Sequence, residues 1–240
     1  MLMEAFMYNV GLQWKLDFRN KGILFVYYIL PLVFFLFMGG VFSSINPESK
    51  NTLIQSMSIF AVTMAAVMGS PTPLINLYGS ETKKAYKVGN IPLLVAAVSN
   101  FISAFIHISI SCIIIFAIAP IIFKAKIPAN MLVYFLVLGI CIITSLLIGT
   151  ILGLLIKNTS KLTMISQLVF MPSIMLSGIM FDSELLPKVF QKISEILPAT
   201  QAMKLMTSSY VDFKLMLSII LISIALSIVT GILLRKIFVE

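Results

Sequence analysis

The side chains able to do chemistry are few and scattered. Among 240 residues there are one histidine, His107, two cysteines, Cys112 and Cys141, and nine acids. A zinc site needs several ligands from His, Cys, Asp or Glu, and a nucleophile needs a base with partners of its own. His107 and both cysteines fall inside apolar stretches with no acid nearby in sequence. They read as packing residues, with His107 hydrogen-bonded to a neighbour. No G-x-x-x-x-G-K-[ST] segment is present, so the phosphate-cradling loop of an ATPase is missing. The densest polar chemistry lies in the short loop Tyr78–Val88. Ser80 is placed to cap a short helix, and Glu81 suits that helix's positive end. Thr82 follows, and Lys83, Lys84 and Lys87 project at i, i+1 and i+4. Such a segment fits either a groove on a soluble partner or a plain basic loop beside a membrane.

The elements around these residues are apolar. Six runs, Ile23–Phe42, Leu53–Leu77, Leu93–Phe123, Ile127–Ile156, Leu162–Phe181 and Leu215–Leu234, contain no Asp, Glu, Lys or Arg. Each reaches the roughly 20 residues that cross a bilayer as a helix. Hydrophobic residues make up 60% of the chain and charged residues 11%, far from the ~25% charged residues of a soluble domain. An all-α integral membrane protein with six transmembrane helices is expected, as one transmembrane domain over residues 1–240, its bundle over 23–234. Intramembrane charges mark proton relays, ion pathways and voltage sensors; their absence from the runs points to an energy source outside the chain. The net charge of +8 comes from basic residues scattered at span ends, which argues against nucleic acid as a partner. With the N-terminus inside, ten of the 17 Lys and Arg residues fall on the inner side and seven on the outer. The bias places both termini in the cytoplasm. The first twenty residues lack the short apolar core and small-residue cleavage site of a signal peptide.

Between the runs, four segments stand out. Residues 2–20 carry Met3, Met7, Val10, Trp14 and Phe18 on one helical face, with Glu4, Gln13, Lys15, Arg19 and Asn20 largely elsewhere. An amphipathic helix on the inner membrane surface is expected, with Trp14 at headgroup level and Lys15 and Arg19 toward anionic lipid. It serves either as an anchor or as a lever on a cytoplasmic partner. Pro71 and Pro73 remove two backbone donors and should bend or break the second span, as a static kink or as a hinge. Gly149 and Gly153 form a GxxxG spacing that admits close helix approach, within the chain or between two copies. After the fifth run, Asp182 or Ser183 is placed to cap a helix with Glu184 and Pro187 in its early turns. Leu185, Val189, Phe190, Ile193 and Ile196 or Leu197 form its apolar stripe, and Pro198 stops it. A dozen residues cannot span, so an outer surface or re-entrant helix pressed against the bundle is expected.

This pattern resembles the permease subunit of an ABC-2 type transporter, the type V or ABCG-like exporter fold. The resemblance covers essentially the whole chain. Its most specific part is Ser177-Gly178-Ile179-Met180-Phe181 leading through Leu186-Pro187 to Leu197-Pro198. The loop resembles the family's coupling helix, with Glu81 as its Glu and Pro92 as its closing proline. Two departures are Asp182, where the family usually has Pro, and Thr82-Lys83-Lys84 after Glu81, without the usual Gly-Thr. The resemblance implies two permease copies, the same chain or a related one, bound to separate ATP-binding subunits that hold ATP and Mg. This chain would bind no cofactor itself. It also implies that Ser80, Glu81, Thr82, Lys83, Lys84 and Lys87 contact the ATPase, and that stretches Ile59–Val67 and Ile165–Ser173 meet the second copy. Export from a prokaryotic cell membrane of an amphipathic drug, peptide antibiotic, bacteriocin or lipid-like molecule follows by analogy. An ion-coupled carrier is the alternative reading; it would want ionisable groups at mid-membrane unless backbone carbonyls build its ion site. An intramembrane enzyme would need paired acids or a Ser–His pair in the spans.

Overall fold

A run of apolar residues in hydrocarbon has no water to satisfy its backbone, so it closes its hydrogen bonds along a helix. The computed structural model describes residues 2–79, 88, 93–180, 183–208 and 212–239, and among the described residues no strand occurs. The helices are α1 (Leu2–Arg19), α2 (Lys21–Ile45), α3 (Leu53–Leu77), α4 (Leu93–Phe123), α5 (Met131–Leu155), α6 (Thr159–Met175), α7 (Lys188–Ser194), α8 (Pro198–Thr207) and α9 (Phe213–Val239). Five of them, α2, α3, α4, α5 and α9, are long and apolar enough to cross a membrane. The fifth expected run is helical only as far as Met175, which leaves α6 with 17 residues, about 26 Å and the lower limit for a span. It stops there because the Ser177 hydroxyl donates to the Ile174 carbonyl at 2.8 Å and Gly178 turns left-handed at φ 82°. Only glycine takes that conformation freely. At the other extreme α4 runs 31 residues without a break, about 46 Å against a hydrocarbon core of about 30 Å, so it tilts or extends beyond the core.

Short polar side chains set the helix starts. Asn20 Oδ1 accepts from the Gly22 and Ile23 amides, Asn130 from Val133, Asn158 from Lys161, and Asp212 from Lys214 and Leu215. Each satisfies donors that the first turn leaves open, a contribution of about 1 kcal/mol.

Two helices absorb a proline in the same way. In α2 a π-turn over Phe25–Ile29 precedes Pro31, and in α3 a π-turn over Ala65–Gly69 precedes Pro71. The Leu30 amide donates to the Phe25 carbonyl, and the Ser70 amide to the Ala65 carbonyl, five residues back in each case. The wider turn relieves the clash of each proline ring with the carbonyl four residues before it. The expected break at Pro71 and Pro73 is therefore a π-turn, and the helix continues to Gly79. The two π-turns pack against each other, Tyr27 lying over Gly69 so closely that a Cβ there would come within 2.7 Å of its ring.

The core centres on α3. Within its apolar stretch 94% of residues are buried, against 17% for α9, so α3 is the axis of the bundle and α9 lies at its edge. A Cβ on Gly149 of α5 would collide with the Ala66 carbonyl oxygen and stand 2.6 Å from Ser70 Oγ, and one on Gly153 would stand 3.0 Å from the Pro71 carbonyl oxygen. The GxxxG pair thus seats α5 on α3 within one chain. Ser58 and Tyr134 tie the same two helices by a buried hydroxyl pair at 2.7 Å. Cys112 and Cys141 are free and buried.

The segment before α9 differs from expectation. Ser183–Leu185 is a single 3-10 turn, and α7 starts only after Pro187, which occupies its N-cap. Pro198 begins a helix instead of merely ending one: α8, ten residues long, has seven buried residues and packs against α3, α5 and α9. The stripe Leu185, Val189, Phe190, Ile193 and Ile196 is exposed on the chain and not pressed against it. In a bilayer, lipid can cover such a face where water could not.

Replacing Gly149 by Ala forces α5 off α3 and should lower stability by about 1–3 kcal/mol, the usual range for overpacking. Gly139 and Gly231 have nothing within 4 Å of an added Cβ, and Ala at either should be nearly neutral. Thermal unfolding of the three variants in detergent measures the difference, and equal melting would contradict the close approach.

Candidate functional site

Two places collect polar side chains, one at each end of α2. The first forms where α1 lies along α4. Its inward face keeps part of the expected apolar stripe, Trp14 and Phe18 both lying against His107, and adds polar side chains. Gln13, Trp14 and Asp17 turn inward, while Met7 and Phe18 of the predicted stripe are 62% and 51% exposed. Asp17 is almost fully buried. Its Oδ2 accepts from the Ser103 hydroxyl at 2.6 Å and its Oδ1 from the Gln13 amide at 2.8 Å. No cation pairs with it among the described residues, and burial, more than these two bonds opposes, raises its pKa above the ordinary carboxylate value.

One helical turn beyond Ser103 lies His107, also fully buried. Its Nδ1 is 2.7 Å from the Tyr28 hydroxyl, the packing role expected of it. Trp14 and Tyr27 stack on the imidazole at 5.8 and 5.5 Å, and Tyr28 meets it edge-on at 5.6 Å. Trp14 therefore sits against the bundle, while Lys15 and Arg19 are exposed. Three buried polar atoms in this cluster, Trp14 Nε1, Tyr27 Oη and His107 Nε2, have no hydrogen-bond partner among the described residues. Tyr27 and Tyr28 belong to the π-turn of α2, so the cluster joins α1, one π-turn and α4. Asp17 was missed in sequence because it lies outside every apolar run. Its i+4 relation to Gln13 was the available signal.

The second place is a cavity of about 690 Å³ at the end of α2 remote from Lys21. Phe42 and Ile45 of α2, Leu53 and Ser56 of α3, the Ser177–Met180 turn, and Met203 and Lys204 of α8 enclose it, with Glu48 on the connection between α2 and α3. The Ser-Gly pair singled out in sequence thus forms part of a cavity wall, and Pro198 starts the helix that forms another. Pro187 lies outside it. The connections after α2, α4 and α6 share this end: the Lys126 amide donates to the Lys50 carbonyl at 2.9 Å, and Thr207 borders both this cavity and a smaller one against 126–130.

The family model described as ABC-2 type transporter matches residues 4–211. The chain belongs to the ABC-2 type transporter family. A comparison with curated proteins finds no match. The permease is thus a multi-pass membrane component of a transporter, the class that associates with an ATP-binding subunit. The match takes in α1, both π-turns, the cavity walls and α8. In this permease, the expected coupling residues Ser80, Glu81, Thr82, Lys83, Lys84 and Lys87, and Pro92, lie outside the described residues. The stretch Ile59–Val67, expected to meet a second copy, is buried inside the chain and presents no outward face. α6 does: Thr163, Met164, Gln167, Leu168 and Met171 are exposed.

Asp17 links the docking of α1 to pH. A carboxyl whose pKa is raised in the docked state gives stability that is fully present below its free value and is lost as pH rises through the raised value. Docking should therefore tighten as pH falls from 7 toward 4. Trp14 is the only tryptophan, and its emission reads the change. Asp17→Asn removes the charge, its oxygen still accepting from Gln13 and its amide nitrogen donating to the Ser103 hydroxyl, so it should hold the tight state across this range. A wild-type pH response retained in full by Asp17→Asn would assign the effect to another group, such as His107.

Proposed function

We propose that this permease is the membrane half of an ATP-driven exporter for amphipathic molecules such as drugs, peptide antibiotics or lipid-like compounds. The carrying observation is the family match over 4–211 on a chain whose six apolar runs hold no charged residue and which has no phosphate loop. Energy then enters from a separate ATP-binding subunit, which holds ATP and Mg. Residues Ser80–Lys87 between α3 and α4 receive it, with Glu81 central by resemblance to the family's coupling helix. The excess of Lys and Arg on one side supports a cell-membrane orientation with both termini in a prokaryotic cytoplasm.

Two copies complete the pathway, identical or related. Gln167 supports α6 as their meeting face, because a polar side chain turned outward from a span is costly against lipid and is accommodated against protein or water. The cavity near Glu48 and Lys204 then opens on the outer face. Its wall mixes Phe42, Leu53 and Met203 with hydroxyl groups, a lining suited to an amphipathic substrate. The buried Asp17 favours one second reading, a carrier driven by protons.

Proteoliposomes holding the chain with its ATP-binding subunit should export a fluorescent amphiphile only with ATP. Transport that follows a proton gradient without ATP would establish the second reading. Glu81→Lys should insert normally and lose at least about tenfold in ATP-dependent transport; full transport by that variant would count against the coupling assignment. Single cysteines at Gln167 and Met171 should crosslink two copies. A permease that stays monomeric yet fully active with its ATPase would remove the dimer.

A further inference from the structure

The cavity at the Ser177–Met180 turn carries one acid and one base that do not neutralise each other. Glu48 and Lys204 both line it, and among the described residues neither side chain forms an ion pair or hydrogen bond. Three neighbouring hydroxyl groups are already engaged. Ser49 Oγ donates to the Asn46 carbonyl at 2.6 Å, Ser177 Oγ to Ile174, and Thr207 Oγ1 to Met203 at 2.8 Å. An occupant meets one carboxylate and one ammonium as the charged groups, with Asn46, Thr52 and Ser183 beside them and an apolar wall around. The volume of about 690 Å³ is that of a site for a molecule of drug or headgroup size.

The edge of the cavity indicates how an occupant arrives. Ile45 and Leu185 border it and are 77% and 78% exposed. Both are apolar side chains turned outward from the bundle, so the cavity has an exposed apolar rim at this edge. An occupant with an apolar tail can keep that tail in the bilayer while its polar head enters. A wholly polar zwitterion would leave this rim uncovered, and a purely anionic head would meet Glu48 unpaired.

We propose that this cavity binds the head of a zwitterionic lipid, its ammonium at Glu48 and its phosphate at Lys204, with the acyl chains leaving past Ile45 and Leu185. The proposal deepens the export reading and rests on it for the face on which the cavity opens.

The test is equilibrium binding of fluorescent phosphatidylethanolamine and phosphatidylglycerol to the full chain in detergent, without ATP or partner subunit. Binding is thereby read separately from export, so failure of either result leaves the other standing. The wild type should prefer phosphatidylethanolamine by about fivefold, the scale of one exposed charge pair. Glu48→Gln should erase the preference by admitting phosphatidylglycerol. Lys204→Gln should weaken both lipids by a similar factor. Both positions are exposed, so neither change disturbs the core. Ile179→Trp, which fills the wall, should reduce binding of both lipids and serves as a control for location. Equal affinities in the wild type and both charge variants would overturn the proposal, as would displacement of the lipid by an amphipathic zwitterionic peptide at lower concentration than by unlabelled phosphatidylethanolamine.

Discussion

The close seat of α5 on α3, backbone against backbone at Gly149 and Ala66, fixes the position of nearly everything else. Between helices in a bilayer there is little hydrophobic gain, because lipid tails are as apolar as leucine. Contact energy comes from dispersion over short distances and from hydrogen bonds such as Ser58 to Tyr134. A helix with no side chain at the contact point approaches closest and gains most. Once α5 is seated, α8 can fill the space at its far end, with α9 laid along its outside. The cavity is what remains between α8, the end of α2 and the turn after α6.

The second constraint is the treatment of polar groups away from water. An uncompensated carboxylate in such surroundings is costly, and Asp17 is compensated by two neutral donors and no cation. Nearby, His107 is held between aromatic faces with one nitrogen bonded to Tyr28. These groups do not lie in the apolar runs at random. Asp17 and His107 meet their partners where the amphipathic helix and the α2 π-turn lie against α4. Functional sites in helices are often marked by such turns, and here one π-turn supplies both tyrosines of the cluster.

Much of the architecture was legible because a span announces itself by composition. The runs around α2, α3, α4, α5 and α9 were readable from the absence of charge alone, and the start of α6 followed from the same signal. The end of α6 was not, since Leu176–Phe181 remains apolar while a serine hydroxyl and a left-handed glycine turn the chain. Helix α8 was hidden for the opposite reason. Lys204 and Gln201 make its sequence look like a surface loop, yet its other face packs into the bundle, where Gln201 bonds the Glu195 carbonyl and the Ser218 hydroxyl at 2.9 and 3.0 Å. The face of α1 was legible in part: Trp14 and Phe18 meet His107, but apolar periodicity alone did not show that Asp17, partnered by Gln13 and Ser103, is buried beside them. The stripe of α7 was correctly seen as a stripe, but the rule that apolar faces seek the protein interior holds in water and not in lipid.

A π-turn holds one more residue than the α-turn it replaces, and so it is a phase shift as well as a proline relief. Each residue of an α-helix advances the face by about 100°. The residues of α3 after Gly69 are thus turned by about that angle from where an uninterrupted helix would point them, and Asn76 faces outward while Leu74 and Ile75 are enclosed. Loss of one residue within Ala65–Gly69 would return the turn to ordinary α pitch and bring the Pro71 ring back against the carbonyl four residues before it. It would also rotate everything from Pro71 to Gly79 against α5, and with it the direction in which the chain leaves the membrane. The bulge acts as the setting of an angle, held in place by a tyrosine lying over a glycine.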